Sequence, residues 1–357
     1  TSDNSPGVNI GNYGGAIASL NGSITIDSNA RFSSNSAGLG GVFFLRSGAI
    51  LTLNMDDAST TLFFDNQDNS GNNSIAFAND TSALTIDTGA SGSSASALLD
   101  MRDPMRTSSA ATNVTINKND AGVWALGGSS NFTWAQRTQF LINTGTLYLY
   151  AQDEVDNGTN LVATGNLALD GRSSSSRSSF RLATGSSLVA GGVNSITLNN
   201  GDIIIEDNTI LRGGSAVKSL GGSTPRNELG GSTSLTLTSD NNTQLQGLVN
   251  LQALEAGDAF TLNANLVDAP NAVGRVVSSG LGQVTLTGNN TYTGTTTISS
   301  GTLALGATGS ISPSQGVQVN AGSTLNSSLN ADTSIQNLTG DSGAVVNVGG
   351  SRLQVNM

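Results

Sequence analysis

Short bursts of strictly alternating apolar and polar residues recur along the whole chain. In each burst two apolar residues stand two positions apart, so both side chains fall on one face of a β-strand. Residues that favour turns, mostly Gly, Asn, Asp and Ser, bound the bursts. The bursts are Ser23–Asp27, Ile50–Asn54, Ala83–Asp87, Asn113–Asn117, Thr146–Tyr150, Asn166–Asp170, Ser195–Asn199, Ser234–Thr238, Ala259–Asn263, Gln283–Thr287, Thr302–Gly306 and Gly316–Asn320.

The spacing of these bursts predicts a solenoid. Most gaps are about 19 to 33 residues, which is too long for strands joined by two-residue hairpin turns. A β-sandwich would show tighter spacing and more aromatic residues. The chain therefore predicts an all-β fold, a right-handed parallel β-helix whose coils stack through parallel ladders. At roughly 20–25 residues per coil, about 14–18 coils are expected. Residues 95–106 could form one or two helical turns at most.

The composition excludes several kinds of chemistry. Gly (45), Asn (39), Ser (49) and Thr (38) make up close to half of the 357 residues, as expected of narrow coils with tight corners. The chain contains no His and no Cys. That excludes Ser-His-Asp and Cys-His catalysis, zinc held by imidazole or thiolate, and haem held by His or Cys. We therefore expect no cofactor and no disulfide.

The charge of the chain limits its partners. Only 11% of the residues are charged, and the net charge is −11. An acidic surface repels phosphate backbones and anionic lipids, so nucleic acid is not an expected partner. No apolar run approaches the roughly 18 residues of a membrane-spanning helix.

One segment carries a specific motif. Residues 280–306 contain Leu-Thr-Gly-Asn-Asn-Thr-Tyr-Thr-Gly-Thr-Thr-Thr-Ile, followed by Gly-Thr-Leu-Ala-Leu-Gly. This segment resembles the passenger-associated transport repeat of autotransporters, whose core reads L-T-G-x-N-T-Y-T-G-G-T-T-I and then G-T-L-x-L-G. The chain departs from that pattern at Thr295, where the family usually has a second Gly.

The resemblance assigns a structural and transport role to the motif positions, and it extends over a transport-repeat region at 280–340. Those positions are Gly288, Asn289, Asn290, Tyr292, Gly294, Gly301, Leu303, Leu305 and Gly306. The alternation itself predicts that five apolar side chains in three short strands point inward. These are Val284, Leu286, Ile298, Leu303 and Leu305.

The N-terminal region, 1–80, carries a second resemblance. Gly14–Ile17 reads GGAI and Phe32–Asn35 reads FSSN, while Gly40–Phe43 is a degenerate second copy of the first tetrapeptide. These sequences resemble the GGA(I/L/V) and FxxN tetrapeptides of the polymorphic membrane proteins of chlamydiae, which are autotransporter-like surface adhesins.

Together the resemblances imply that 1–357 is a single β-helical passenger, secreted or displayed on a bacterial cell surface. They imply passage through an outer-membrane translocation barrel during type V secretion. The predicted function is that of an adhesin or a self-associating surface protein, with a cell-surface or matrix ligand, or the chain itself, as partner. A head-to-tail filament subunit is an alternative, because the alternating C-terminal strand at 353–357 predicts an open edge.

The other alternative is an extracellular polysaccharide-active enzyme, in which acidic residues on adjacent coils serve as acid and base. The acidic clusters are Asp56-Asp57, Asp65/Asp68, Asp100/Asp103, Asp153-Glu154/Asp156 and Glu206-Asp207. We expect these to be solvated turn residues and the chain not to be an enzyme, because no His, Lys or Tyr accompanies them.

Two further sequence features suggest a ligand. Asp153–Thr159 has the oxygen density of a calcium loop, but it lacks the D-x-D-x-D-G spacing, so no metal is expected. Trp124 and Trp134 could stack on sugar rings, and we expect them instead to be core or coil-capping residues.

Overall fold

The structure is a computed structural model in which every regular element of the described residues is a β-strand. The described residues are 15, 17–27, 29–56, 59–78, 82–88, 97–107, 113–133, 135–150, 164–170, 176–191, 193–213, 234–329 and 332–356. They form two compact units, one built from residues up to 180 with 197–201, the other from 181–196 and from 202 onward.

The first unit contains short strands whose apolar residues alternate with polar ones. In chain order they are β1 (Ile17–Ser19), β2 (Ser23–Ile26), β3 (Arg31–Ser33), β4 (Phe43–Arg46), β5 (Ile50–Met55), β6 (Thr60–Phe64), β7 (Gln67–Asp68), β8 (Gly71–Asn72), β9 (Ile75–Ala78), β10 (Ser82–Thr88), β11 (Leu98–Met101), β12 (Met105–Thr107), β13 (Asn113–Asn119), β14 (Val123–Gly127), β15 (Ser130–Phe132), β16 (Arg137–Ile142), β17 (Thr146–Tyr150), β18 (Thr164–Asp170) and the start of β19 (Ser178–Leu182).

The second unit also contains short strands whose apolar residues alternate with polar ones. Its strands are β20 (Ser187–Gly191), β21 (Val193–Asn199, shared with the first unit), β22 (Gly201–Ile205), β23 (Thr209–Gly213), β24 (Ser234–Ser239), β25 (Thr243–Leu245), β26 (Leu248–Ala253), β27 (Ala259–Asn263), β28 (Leu266–Asp268), β29 (Arg275–Ser279), β30 (Gln283–Leu286), β31 (Thr296–Ile298), β32 (Thr302–Leu305), β33 (Val317–Val319), β34 (Thr324–Asn326), β35 (Thr333–Gln336), β36 (Leu338–Gly340), β37 (Val345–Asn347) and β38 (Leu353–Asn356).

Each coil contributes strands to parallel sheets. In the first unit the sheet orders are β1-β4-β9-β12-β15-β18, β2-β5-β10-β13-β16 and β3-β6-β11-β14-β17, and β7 and β8 form a small antiparallel hairpin. In the second unit they are β24-β27-β30-β32-β34-β37, β22-β25-β28 and β20-β23-β26-β29-β31-β33-β36, and β38 pairs with β35. This topology confirms the predicted all-β parallel β-helix.

The core lies inside the coils, where equivalent apolar residues stack from one coil to the next. Leu51 pairs in register with Leu84, and Leu84 with Ile116, and all three are fully buried. Trp124 stacks on Phe140 with ring centroids 5.4 Å apart. Offset aromatic pairs of this kind contribute about 0.5–1.5 kcal/mol beyond their burial.

The coils differ in length. All twelve predicted bursts overlap strands, and the longest parallel sheet contains thirteen strands within the described residues. The coils of the first unit are long, since the register advances from Phe43 to Ile75 in one coil. In the second unit it advances only from Gln283 to Thr302. Within 95–106 the described residues form strand β11 and the start of β12 with a short connection between them, and none of them forms a helical turn.

Candidate functional site

The motif segment forms one coil and the start of the next. Strands β30, β31 and β32 carry it, and the five apolar side chains predicted to point inward are all buried. Leu303 and Leu305 lie on β32, which pairs with β30 and β34 on either side. The inward orientation that the alternation predicts for these residues is therefore confirmed.

Glycine sets one corner of these coils. Gly280, Gly301, Gly322 and Gly343 recur every 21 residues, and each has a positive φ. At Gly301, with φ of 65°, an added Cβ would lie 2.6 Å from the carbonyl oxygen of Gly280. A side chain there would be both strained and in collision with the preceding coil. The conformation of this corner therefore requires Gly301.

The other motif glycines allow close contact between coils. An added Cβ at Gly288 would lie 2.2 Å from the Ala264 carbonyl oxygen, and one at Gly294 would lie 2.4 Å from that of Gly274. Gly306 is less constrained, since the nearest atom to its added Cβ is a Thr287 methyl at 3.0 Å. Gly288 and Gly294 thus permit a backbone approach that no larger residue allows.

Asn290 joins three coils through one buried side chain. Its Oδ1 accepts the backbone N–H of Leu266 (2.9 Å) from the preceding coil. Its Nδ2 donates to the carbonyl of Ser310 (2.9 Å) in the following coil and to that of Gly288 (2.9 Å). The side chain of Asn290 is fully buried, and its hydrogen bond to Leu266 is shielded from water. Asn290 thus links the preceding and following coils to its own through one side chain.

Tyr292 starts a second buried network. Its side chain is 1% exposed, and its hydroxyl lies 2.6 Å from Thr296 Oγ1. Thr296 Oγ1 lies 3.0 Å from Ser314 Oγ, which donates to the Gly294 carbonyl at 2.8 Å. Because Ser314 donates its proton to Gly294, Thr296 donates to Ser314 and Tyr292 to Thr296. Burial raises the pKa of Tyr292, which keeps the hydroxyl in its donating form.

Asn289 differs from its neighbour, because its side chain is exposed. Its backbone N–H donates to Asn265 Oδ1 at 2.8 Å, which fixes the turn. The two adjacent asparagines of the motif therefore have different positions, one inside the stack and one at its surface.

Residues of the N-terminal FxxN tetrapeptide contact the equivalent residues of the next coil. Phe32 stacks on Phe63 of the next coil, with centroids 4.8 Å apart. Asn35 Nδ2 donates to Asn66 Oδ1 at 2.8 Å, and Asn66 Nδ2 donates to Asp103 Oδ2 at 2.6 Å. The Phe and Asn of FxxN thus form two columns, one aromatic and one polar, that hold successive coils in register.

The two tetrapeptides contact each other within a coil. An added Cβ on Gly15 would lie 2.1 Å from the Gly41 carbonyl oxygen and 3.0 Å from Asn35 Cβ, and one on Gly41 would lie 2.4 Å from the Asn73 carbonyl oxygen and 2.9 Å from the carbonyl carbon of Asn66. Gly14 and Ala16 of the first tetrapeptide lie outside the described residues. The glycines let successive coils approach backbone to backbone beside the asparagine column, which gives a physical reason for the pairing of the two motifs.

One copy of the second motif was missed in the sequence. Phe63–Asn66 reads Phe-Phe-Asp-Asn, which fits FxxN and lies one coil after Phe32–Asn35. A search for that pattern at the coil spacing would have found it. The resemblance to chlamydial proteins stays a prediction.

Several acidic residues predicted to be solvated are buried, which corrects that expectation. Asp68, Asp100 and Asp103 are 8%, 4% and 0% exposed. Asp103 accepts hydrogen bonds from Asn66 and from Ser74 Oγ (2.9 Å), and Asp100 pairs with an arginine. The corners of adjacent coils stack on each other, so a turn residue faces the next turn rather than water.

The other clusters bind neighbouring coils at the surface. Glu206 accepts hydrogen bonds from Arg181 and from Thr184, and these lower its pKa against the effect of burial. Asp207 Oδ1 accepts the backbone N–H of Leu248 at 2.6 Å. Asp57 and the predicted calcium candidate at 153–159 lie outside the described residues. Among the residues that the structure describes, no three acidic side chains are grouped to hold a metal.

Trp124 is fully buried and stacked on Phe140, as expected of a core residue. It cannot stack on a sugar ring. Trp134 lies outside the described residues.

Lys118 is a buried charge that the sequence analysis missed. It pairs in register with Ile86 on one side and Ile142 on the other, so it occupies an apolar position of the core. Its Nζ donates to the carbonyls of Asn119 (2.7 Å), Asp120 (2.7 Å) and Thr144 (3.1 Å). The alternation from Val114 through Ile116 places residue 118 on the inward face and could have revealed it.

We expect Lys118 to make stability depend on pH. Burial lowers its pKa from 10.5 to about 7, although Asp120 and Asp87 oppose that shift. Between those values the unfolded chain binds a proton that the folded chain does not, so the free energy of unfolding rises with pH, by at most about 1.4 kcal/mol per unit. Denaturation followed by tryptophan fluorescence from pH 7 to about 9.5 should show the rise, and Lys118→Met should remove it. The control is Lys218→Met, at the only other lysine of the sequence. If the free energy of unfolding of Lys118→Met rises with pH as much as that of the wild type, Lys118 is not the group responsible.

The passenger-associated-transport-repeat family matches residues 277–305, which is the segment that the motif predicted. The match supports an autotransporter passenger domain, which implies export to the cell surface or secretion. No curated protein and no solved structure matches the chain. The described residues contain no helix with the length and hydrophobicity that a membrane span requires.

Proposed function

We propose that this chain is the exported passenger of an autotransporter-type protein and acts outside the cell as an adhesin or self-associating surface protein. The observation that carries the proposal is the transport repeat at 277–305, which coincides with the coil built around Asn290. The second resemblance, carried by the tetrapeptides at 14–17 and 32–35, is to surface adhesins and supports the same function.

The contacts of the repeat suit a role in folding after export. Asn290 and Tyr292 bury polar groups that are satisfied only when neighbouring coils are in place. Leaving such groups unpaired costs about 1–3 kcal/mol each, so the coils of this region stabilise one another cooperatively. We infer that folding starts here and draws the rest of the passenger outward.

The outer faces of the second unit suit a contact function. Thr236 pairs in register with Thr261, and Thr261 with Thr285, so hydroxyl groups line one sheet in a column. Such a face offers donors and acceptors without charge, and a low charge fraction gives little electrostatic repulsion between copies.

The test is display on a bacterial surface. The chain is fused to an outer-membrane translocation barrel and compared with the same barrel carrying an unrelated β-helix. We expect cells displaying the chain to adhere to host cells or matrix, or to aggregate and settle, faster than the control cells. Equal adhesion and equal settling of the two strains, at equal surface levels, would contradict the proposal.

A further inference from the structure

In the second unit, a groove crosses the turns that follow strands β24, β27, β30 and β32. Its cavity volume is about 340 Å³, which lies within the range of small-ligand sites. Amide and hydroxyl side chains dominate its lining, among them Asn241, Asn263, Asn265, Thr287, Asn289 and Thr308. We infer that this groove binds a neutral oligosaccharide, which deepens the proposed adhesin function and rests on it.

Hydrogen bonds hold the walls of the groove in place before any ligand arrives. On one wall Asn265 Nδ2 donates to Asn242 Oδ1 (3.2 Å), and Asn265 Oδ1 accepts the backbone N–H of Asn289 (2.8 Å). On the other wall Thr287 Oγ1 donates to Asn263 Oδ1 at 3.0 Å. Side chains fixed in this way lose little conformational entropy on binding.

Glycine allows two coils to approach closely at the groove. Gly288 and Ala264 line it between the two walls. An added Cβ on Gly288 would lie 2.2 Å from the Ala264 carbonyl oxygen, so the two coils are in backbone contact at this position. The close approach of the coils at the groove therefore depends on the same glycine that the transport repeat requires.

The chemistry of the lining selects the ligand. An amide presents a donor and an acceptor side by side, which matches adjacent hydroxyl groups on a sugar. Asp240 is the one charged residue among the lining residues, and none of them is basic, so a uronate, sulfate or phosphate group would have no counter-charge.

A peptide fits the groove less well. Binding of a peptide as an added strand requires an unpaired strand edge. Here the backbone is already used between coils, since Ser310 N–H donates to the Gly288 carbonyl at 3.0 Å and Thr287 N–H to the Leu262 carbonyl at 3.1 Å. The lining also offers no deep apolar pocket for a side chain, because Ala264 is its largest purely apolar residue.

The experiment uses the purified full chain and a panel of probes. The neutral probes are the hexasaccharides of maltose, cellulose and mannan type; the others are hexagalacturonate and a Gly/Ser hexapeptide. Binding is measured by titration calorimetry and saturation-transfer NMR. We expect at least one neutral hexasaccharide to bind at least tenfold more tightly than hexagalacturonate and the peptide. Failure of every neutral probe at millimolar concentration, or equal binding by hexagalacturonate or the peptide, overturns the inference.

Variants locate the binding. Asn289→Ala and Asn263→Ala, on opposite walls, should each weaken binding of the neutral sugar about five- to tenfold, the loss of one hydrogen bond. Asn337→Ala removes an equally exposed corner amide outside the groove and should leave binding unchanged. If both wall variants bind as the wild type does, the groove is not the site.

The same variants separate this inference from the proposed function. Suppose that cells displaying Asn289→Ala adhere or aggregate as wild-type cells do, and that the purified wild-type chain binds no neutral sugar. The groove inference then fails and the adhesin function stands. If purified chain binds the sugar through the groove but displayed cells neither adhere nor settle, the proposed function fails instead.

Discussion

Asn290→Ala is expected to lower the local free energy of unfolding around the transport repeat by about 3 kcal/mol. The substitution removes one acceptor and two donated hydrogen bonds from a fully buried position. It leaves the backbone N–H of Leu266 without its partner, and the lost volume adds a cavity cost. Hydrogen exchange measured by mass spectrometry should show faster exchange in peptides spanning residues 262–315.

Asn289→Ala is the matched control. Its side chain is exposed, and its backbone hydrogen bond to Asn265 survives the change. We expect the local stability to change by less than about 0.5 kcal/mol. Similar effects of the two substitutions would show that the buried network does not hold the coils together. In cells displaying the passenger, Asn290→Ala should also reduce the amount of protease-resistant protein at the surface.

The alternation of apolar and polar residues predicted the strands that face the core on one side and water on the other. It did not predict strands that are buried on both faces. Every burst overlaps a strand, because one side of each burst faces the core. In contrast, β9 (Ile75–Ala78) is buried at all four positions. Outside the coil, Ala76 and Phe44 pack with Leu20 and Leu39, so these strands carry apolar residues on both faces. Such segments resemble generic apolar runs, and the period of two disappears.

The motif positions were predictable as a set, but their roles were not. Asn290 and Leu266 are 24 residues apart in the sequence, and only the alignment of successive coils in the structure shows that they are hydrogen-bonded. The same holds for Asn35 and Asn66, which are 31 residues apart. Buried polar residues in a solenoid find their partners on adjacent coils. A single sequence with coils of unequal length does not give that register.

Acidic residues illustrate the same limit. Asp103 was assigned to a solvated turn because Asp and Asn are common in turns. In the structure it accepts hydrogen bonds from Asn66 and Ser74, which belong to the preceding coil. Composition indicates where the chain turns, and the stacking of the turns decides whether water reaches them.

When residues 1–357 are expressed by themselves, we expect them to self-associate through strand β37. Strand β37 pairs with β34 on one side, and among the described residues no strand pairs with its other side. Val346 pairs in register with Leu325, which is fully buried, yet Val346 is 38% exposed. Within residues 1–357, an apolar side chain of the core row is therefore partly exposed beside a strand edge that no described strand covers, and such edges pair readily with another chain.

Val346→Lys is expected to abolish association through this edge. In a pair of chains that meet edge to edge, residue 346 of each would be buried at the contact, and an unpaired buried ammonium costs several kcal/mol. We therefore expect the wild type to form dimers or larger assemblies at high micromolar concentration, and Val346→Lys to weaken association by at least 100-fold in sedimentation equilibrium. Val355→Pro, which removes a donor from β38, should act in the same direction.

Val345→Lys provides the control, because its neighbour in register, Thr324, lies on the outward face of the sheet. A lysine at 345 would point to solvent in the monomer and would remain at the solvent-exposed rim of the contact in the dimer. It should therefore change association less than about threefold. The contrast between adjacent positions separates edge pairing from a general effect of charge. A strictly monomeric wild type, or equal association of the 345 and 346 variants, would show that this edge does not pair. If the two variants associate equally, association depends instead on the uncharged outer faces of the coils, where Thr261→Lys would be the substitution that weakens it.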